Sequence, residues 1–261
     1  MQTRGRKDPR VTGPVYKRIA AQMRERIEAG EFPKDKPLPT NVELAKDFEV
    51  DRNTANKAYD ELVNEGLVVS RGSRGRFVRI RERHIYRPQE EFGRPTSDVM
   101  DRFMARITAE KRTPAQSINV ALVPPPPRVA AEFGSGDDVV VLRQRNRSIN
   151  GEPIYTNDSY YPRELVEGTE IMLPHDIARG AIAVLDEIGA RQVRALDKHL
   201  IRMPTPEEIT RLELLPATPV DEVLTVGLTA DDQPVRCMVS VLPGDRVEIV
   251  YERIRPTDLG E

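Results

Sequence analysis

Over residues 16–27 apolar side chains recur three and four positions apart. Tyr16, Ile19, Ala20, Met23 and Ile27 share one face while Lys17, Arg18, Arg24 and Arg26 fall outside it, which predicts a helix stopped by Gly30. A second, short helix with Leu44, Ala45 and Phe48 inward follows Leu38-Pro39-Thr40, where the Thr40 hydroxyl and Glu43 three residues on have the spacing of a capping box. After the Glu49-Val50 turn, Asp51 is placed to cap a third helix that faces Ala55, Ala58, Tyr59 and Leu62 inward and ends at Glu65-Gly66. Two apolar strands, Leu67-Val68-Val69 and Phe77-Val78, then flank an Arg/Gly hairpin at residues 71–76.

The pattern beyond residue 97 is different. Phe103, Met104 and Ile107, with Val99 before them, predict a short helix, and residues 117–123 alternate as a strand that Pro124–Pro127 ends by a rigid turn toward a helix. Strands over 139–149 and 154–161 enclose Asn150-Gly151, a strong hairpin signal. A helix at 177–188, a strand at 195–202, a helix at 205–214 and strands at 220–229, 234–242 and 246–253 follow. Asp231-Asp232-Gln233 and Pro243-Gly244-Asp245 turn the last two hairpins. The second module is therefore expected to be α+β, an antiparallel sheet with helices to one side.

Helix, helix, turn, helix, hairpin is the order of a winged helix-turn-helix, mainly α with a β wing, whose third helix enters the major groove of DNA. The outward set on that helix, Arg52, Asn53, Thr54, Asn56 and Lys57, is made of hydrogen-bonding types able to read base edges, and the wing carries Arg71, Ser73, Arg74, Gly75 and Arg76 to hold phosphates or an adjacent groove. Asp51 is expected to cap and not to touch DNA, since a carboxylate is repelled by phosphate.

Charge agrees with this division. Residues 1–80 hold 17 Lys/Arg against 12 Asp/Glu and the remainder 23 against 30, so a net +5 falls on the half expected to meet DNA. The organisation expected is a basic arm at 1–13 with Arg4, Arg6, Lys7 and Arg10, a DNA-binding domain at 14–80, a charged linker at 81–96, the second domain at 97–255 and a tail at 256–261. No run of about 20 apolar residues is present, so no membrane span is expected. Cys237 is the sole cysteine, which excludes an internal disulfide and a cysteine-based zinc site and points to the cytoplasm. His84, His175 and His199 lack metal-ligand spacing, and no phosphate-binding loop or nucleophile motif appears, so neither metal, cofactor nor catalytic residues are expected.

The run Tyr16–Val78 resembles the DNA-binding domain of GntR-type bacterial transcription regulators. The resemblance is carried by Leu38-Pro39, Glu43-Leu44-Ala45, Val50, Arg52-Asn53-Thr54, Ala58, Leu62, Glu65-Gly66-Leu67 and Gly75 with Phe77-Val78. Thr40, Asn41 and Val42 replace the family's common Ser-Glu-Arg, Asp51 its Ser or Thr, and Asn56 a basic residue. The resemblance thus implies DNA contacts from Thr40 and Asn41 as well, and an operator preference of the chain's own. The region from about 97 to 255 resembles the UTRA domain of the HutC-type branch, which shares its fold with chorismate lyase. Here the carrying residues are Val139–Leu142, Arg145, Arg147, Gly151-Glu152-Pro153, Tyr160, Pro162 and Thr218-Pro219, with the strands to Tyr251. The resemblance implies a small-molecule sensor that also forms a homodimer.

Arg143, Arg145 and Arg147 alternate along one strand and so share a face, where they are solvated, paired or holding an anion. The resemblance adds Asn157, Asp197 and Tyr251 to the effector residues. Leu242 and Pro243 stand where many members carry aromatic and basic residues, which turns the expectation away from a phosphosugar. The leading expectation is a homodimeric repressor that binds double-stranded DNA at an inverted-repeat operator and responds to a small molecule. A constitutive regulator of a mobile element and a DNA-tethered chorismate-lyase-like enzyme are the alternatives.

Overall fold

The computed structural model describes residues 13–33, 36–79, 83–92, 101–134 and 139–253. The basic arm up to residue 12, Val99 and the tail lie outside these residues. Two compact units divide the chain, the first formed by 1–82 with Leu215–Thr218 and the second by the remainder.

In the first unit, α1 (Val15–Glu28) buries Ile19, Ala20, Met23 and Ile27. Helix α2 (Asn41–Asp47) opens on the expected capping box: the Thr40 hydroxyl accepts from the Glu43 amide at 3.3 Å, and the Glu43 carboxylate accepts from the Thr40 amide at 2.7 Å. Glu49 turns the chain with φ +51°. Helix α3 (Arg52–Asn64) then starts at Asp51, whose carboxylate accepts from the Thr54 amide at 2.9 Å. Ala55, Ala58, Tyr59 and Leu62 close over Leu38 and Leu44 in one core. Gly66, at φ +72°, lets the chain leave α3 for β1 (Val68–Ser70), which pairs antiparallel with β2 (Arg76–Val78) around the turn Gly72–Arg74. The Leu38 amide donates to the Arg76 carbonyl at 2.7 Å and so fixes the wing to the segment that enters α2.

The second unit begins with β3 (His84–Tyr86) and a 3-10 turn at Pro88–Phe92, where a linker was expected. Three residues are too few for a periodic signal, and their partner lies more than 160 residues away. That partner is β10 (Val247–Ile249), which runs parallel to β3 with Val247 opposite His84. The strand expected at 246–253 is thus shorter and does not return onto its predecessor.

Helix α4 (Arg102–Ala109), β4 (Pro114–Val123), α5 (Pro127–Phe133), β5 (Val140–Ile149) and β6 (Glu152–Pro162) follow. The β5–β6 hairpin turns at Asn150-Gly151 with both residues at positive φ, 53° and 80°, as the sequence predicts. After α6 (Arg163–Val166) and a 3-10 turn at Glu170–Met172 comes α7 (Ala181–Glu187), shorter than expected because Gly180 starts it at φ +85°. Strand β7 (Arg194–Arg202), α8 (Pro206–Leu212), β8 (Val220–Leu228) and β9 (Pro234–Pro243) complete the six-stranded antiparallel sheet, ordered β4-β5-β6-β9-β8-β7. One face packs α5 against Tyr160, Leu224, Val226 and Cys237. On the opposite face, α4 and β10 pack through Phe103, Ile107 and Val247 against Tyr155, Val223 and Leu242, while α7 and the segment before it pack on Val141 and Tyr161.

Arg246 ties the turn after β9 to β6 and to the end of α8. Its guanidinium is buried and donates to the carbonyls of Pro153, Leu212 and Glu213, the latter two being carbonyls left over at the end of α8. Replacing it by an apolar chain strands those acceptors, each costing about 1–3 kcal/mol when buried and unmet. Arg246→Met is therefore expected to lower stability by about 3 kcal/mol or more in urea unfolding.

Candidate nucleic-acid interface and ligand cavity

On the first unit, Arg52, Asn53 and Lys57 of α3 are exposed, as are Thr40 before α2 and Arg71, Ser73 and Arg74 of the wing. Those of α3 and the wing are available to a nucleic acid, whereas the Thr40 hydroxyl is held in the capping box, where it donates to the Glu43 carboxylate at 2.8 Å. Other residues of the sequence-predicted set are engaged within the unit. The Thr54 hydroxyl donates to Asp51 at 2.6 Å, completing the cap, and with the Thr54 amide holds the Asp51 carboxyl below the usual aspartate range.

Asn41, Asn56 and Arg76 form one network: the Arg76 guanidinium donates to the Asn41 side-chain oxygen at 2.8 Å and to that of Asn56 at 2.9 Å. The Asn41 amide also donates to Asn56 at 3.1 Å, and Asn56 to Asp60 at 2.9 Å. Arg76 lies 4.8 Å over the Tyr59 ring, whose hydroxyl donates to the Pro39 carbonyl at 2.6 Å. These residues lock α2, α3 and the wing together. Arg71, 4.7 Å over the Phe77 ring, is steadied while its charge stays outside. Gly75, at φ +97° with its missing Cβ direction 3.4 Å from Pro37, is a backbone requirement of the wing tip.

In the second unit the strand register puts Arg143, Arg145 and Arg147 on one face of β5, opposite Ser159, Asn157 and Tyr155 of β6. That face floors a cavity of about 530 Å³, walled by Tyr86 and Glu91 near β3, by Phe103 and Arg106 of α4, and by 178–183 at the start of α7. The size suits a small metabolite.

The three arginines differ. Arg143, 2% exposed, donates to the carbonyls of Ile171, Leu173 and His175 and so fastens the segment before α7 to the sheet. Arg147 makes a two-pronged pair with Asp101, at 3.2 and 2.9 Å, and lies 4.5 Å from the Phe103 ring centroid. Arg145 has the loosest contacts, 3.3 Å to the same Asp101 and 3.7 Å to Asp176. Burial, with Arg147 adding to it, pushes its guanidinium down to about 10. Asn157 donates to the Ser240 hydroxyl at 2.7 Å and keeps its place on the floor.

Asp197 and Tyr251 are not among the residues that line this cavity. They join a separate network in which the Thr225 hydroxyl donates to Asp197 at 2.6 Å and the Tyr251 hydroxyl stands 3.3 Å from Asp197 and 2.7 Å from His199. The other ring nitrogen of His199 faces Asp221 at 2.8 Å.

Sequence reasoning missed Asp101 and Arg236. Asp101 caps α4, accepting from the Met104 amide at 2.9 Å, and a capping spacing was visible. That the same carboxylate would meet β5 was not. Arg236, fully inside, pairs with Glu91 of the 3-10 turn.

Among the described residues no group of three or more metal-ligating side chains gathers, and no helix is long and apolar enough to cross a membrane. A three-helix unit with a wing and a sheet-floored cavity make a DNA-binding regulator with a sensor module. Residues 15–78 match the family of bacterial regulatory proteins, gntR family, and residues 109–248 match the UTRA domain. The chain belongs to the GntR family of transcription regulators and carries a UTRA domain.

Among relatives, it is 30% identical to the transcriptional regulator GmuR of Bacillus subtilis over 62% of this chain and 66% of that protein. It is 29% identical to a transcriptional regulator of Streptomyces coelicolor over 92% of each, and 30% identical to the repressor NagR of B. subtilis over 58% of this chain and 59% of that one. A crystal structure of a GntR-family regulator superposes with TM-score 0.65 at 21% identity, covering 93% of this chain and 98% of that one. PhnF of Mycobacterium smegmatis does so at 0.52 and 20%, covering 90% and 99%. These families and relatives are regulators and not enzymes, which overturns the lyase alternative.

Asp101 carries a testable consequence. Burial pushes its carboxyl up, but Arg147 and Arg145 outweigh burial and hold it below the ordinary 3.8. A depressed carboxyl contributes stability that is full above 3.8 and lost as pH falls through the lower folded value. Asp101→Asn leaves the buried Arg147 guanidinium without its anion and Arg145 with Asp176 alone, with an expected cost of about 3 kcal/mol or more at pH 7. Urea titrations from pH 7 to pH 2 are expected to show this gap between wild type and variant narrowing below pH 3.8.

Proposed function

We propose that the chain is a cytoplasmic, homodimeric repressor that binds an inverted-repeat operator and changes its operator affinity when an anionic small molecule enters the cavity of the UTRA domain. The observation that carries the effector part is the charge of the cavity: nine arginines line it against four carboxylates, Glu90, Glu91, Asp101 and Asp186. Arg145 is the guanidinium with most to gain from an anion, since Asp101 is already shared with Arg147.

Operator reading is assigned to Arg52, Asn53 and Lys57, the exposed polar positions at the start of α3, with Arg71, Ser73 and Arg74 on phosphates. Arg76, Asn41 and Asn56 set the angle between wing and helix instead. Symmetry supplies the regulatory logic: two recognition helices on a dimer need paired half-sites, and a ligand releases DNA only by favouring a dimer geometry that misplaces them. Dimerisation is supported by β7, which ends the sheet with one side of its backbone unpaired there and exposes Leu196, Leu200 and Ile201, an edge that needs covering. Repression is supported by the likeness to NagR, named a repressor. The competing reading, a constitutive regulator, is favoured by the self-sufficiency of Arg143 and Arg147.

Selection of bound sequences from random DNA is expected to return a palindrome with half-sites about 10–10.5 base pairs or a multiple apart. Arg52→Ala is expected to weaken the selected operator by about 1–3 kcal/mol and to relax one base position. Arg74→Ala is expected to weaken all sequences alike and reduce the salt slope by about 1. An Arg52→Ala protein with unchanged affinity and selectivity removes α3 as the reader. For the dimer, Leu200→Asp is expected to give a monomer in sedimentation analysis, and a variant that stays dimeric moves the interface elsewhere.

A further inference from the structure

One anion-binding position in the cavity is already filled, and by the protein itself. Arg236 of β9 lies almost wholly inside, 4% exposed, and its Nη2 donates to the Glu91 carboxylate. Both residues line the cavity. Among the described residues Glu91 is the sole ion-pair partner of Arg236, and it meets one nitrogen only, leaving Nε without a partner.

Glu91 belongs to the 3-10 turn Pro88–Phe92, and none of the residues of that turn is buried. Phe92 at its end is 46% exposed, so no apolar side chain anchors the turn from within. Glu90 pairs with Arg106 at 3.3 Å, but both side chains are partly solvated, and a pair of that kind contributes little. The side-chain oxygen of Gln89 is sealed without a hydrogen-bond partner, which opposes the closed arrangement. What holds the turn is the Glu91–Arg236 pair.

That hold is conditional. Withdrawing Glu91 alone strands a cation inside the protein, which is strongly unfavourable, so the turn stays closed while no other anion is at hand. A carboxylate in the cavity removes the penalty. It offers Arg236 the same charge, and Glu91, 26% exposed already, returns to water.

We propose that Glu91 is a stand-in for the effector: a carboxylate of the effector takes Arg236 from Glu91 and releases the Pro88–Phe92 turn. This rests on the cavity being the effector site. The turn follows β3, the strand by which the chain enters the second unit from the DNA-binding unit, so its release acts on the segment that joins sensor to reader. Arg145 and Arg236 thereby divide the work. The first offers charge that is incompletely met, and the second offers the exchange that turns occupancy into a change of conformation.

The test uses the full-length protein and acetate, which matches the group that Glu91→Ala removes. Glu91→Ala is expected to lower the melting temperature by about 6 °C or more, and acetate at tens of millimolar to restore most of it, while acetamide does not. Equal effects of acetate and acetamide on this variant overturn the exchange at Arg236. Combining Glu91→Ala with Arg236→Met removes both charges, so this double variant is expected to melt near wild type and to ignore acetate. It reports on a released turn even where the single variant does not fold.

In both variants the turn is free without any effector. Their operator affinity, read by fluorescence anisotropy, is expected to be about tenfold weaker than that of wild type, with or without acetate. A double variant that binds the operator as tightly as wild type overturns the proposal, because the pair then serves the fold alone. These arms need no effector, so their failure leaves the anionic-effector reading standing. That reading falls instead where no anion of a metabolite library alters wild-type operator affinity.

Discussion

A guanidinium taken out of water must find acceptors or an anion, and β5 brings three of them to alternate positions on one sheet face. Much of the second unit can be understood as the answer to that demand. The segment before α7 comes down onto the sheet because its carbonyls accept from Arg143. Helix α4 is anchored because Asp101, its cap, is also the counter-ion of Arg147. The turn after β3 is held by Glu91 on Arg236. What these elements enclose is the cavity, and because carboxylates are fewer than arginines, the enclosure stays positive.

The same economy of acceptors shapes the first unit, with a different outcome. Arg76 is consumed by Asn41, Asn56 and the Tyr59 ring, so wing, α2 and α3 move as one piece. The exposed remainder, Arg52, Asn53, Lys57, Arg71 and Arg74, is held on a rigid base. Side chains that must meet bases within hydrogen-bond distance gain from such support, since loose ones lose entropy on contact. Asp51 contributes by capping α3 from a position where its charge is already bound to Thr54.

Most of the first unit was legible in the sequence because its interactions are local. Helix faces, the Thr40–Glu43 box, the Asp51 cap and the Arg/Gly hairpin all lie within a few residues of one another. In the second unit the Asn150-Gly151 hairpin and the shared face of the three arginines followed from strand alternation alone. The failures are all non-local. Strand β3 was read as linker because its partner is β10. That Asp197 and Tyr251 join Thr225 and His199 in a network of their own depends on the pairing of β7 with β8. That Asn41, Asn56 and Arg76 hydrogen-bond one another across α2, α3 and the wing is equally invisible in composition.

The central claim is that charge left over in the sheet-floored cavity couples a metabolite to DNA. Its most direct test is operator affinity, followed by fluorescence anisotropy across a library of anionic metabolites, for wild type and for Arg145→Met. At least one anion is expected to change wild-type affinity by about tenfold, a coupling of about 1.4 kcal/mol, and to leave Arg145→Met unmoved. Operator affinity that is identical across the library, or a responding anion that acts equally on both proteins, contradicts the account.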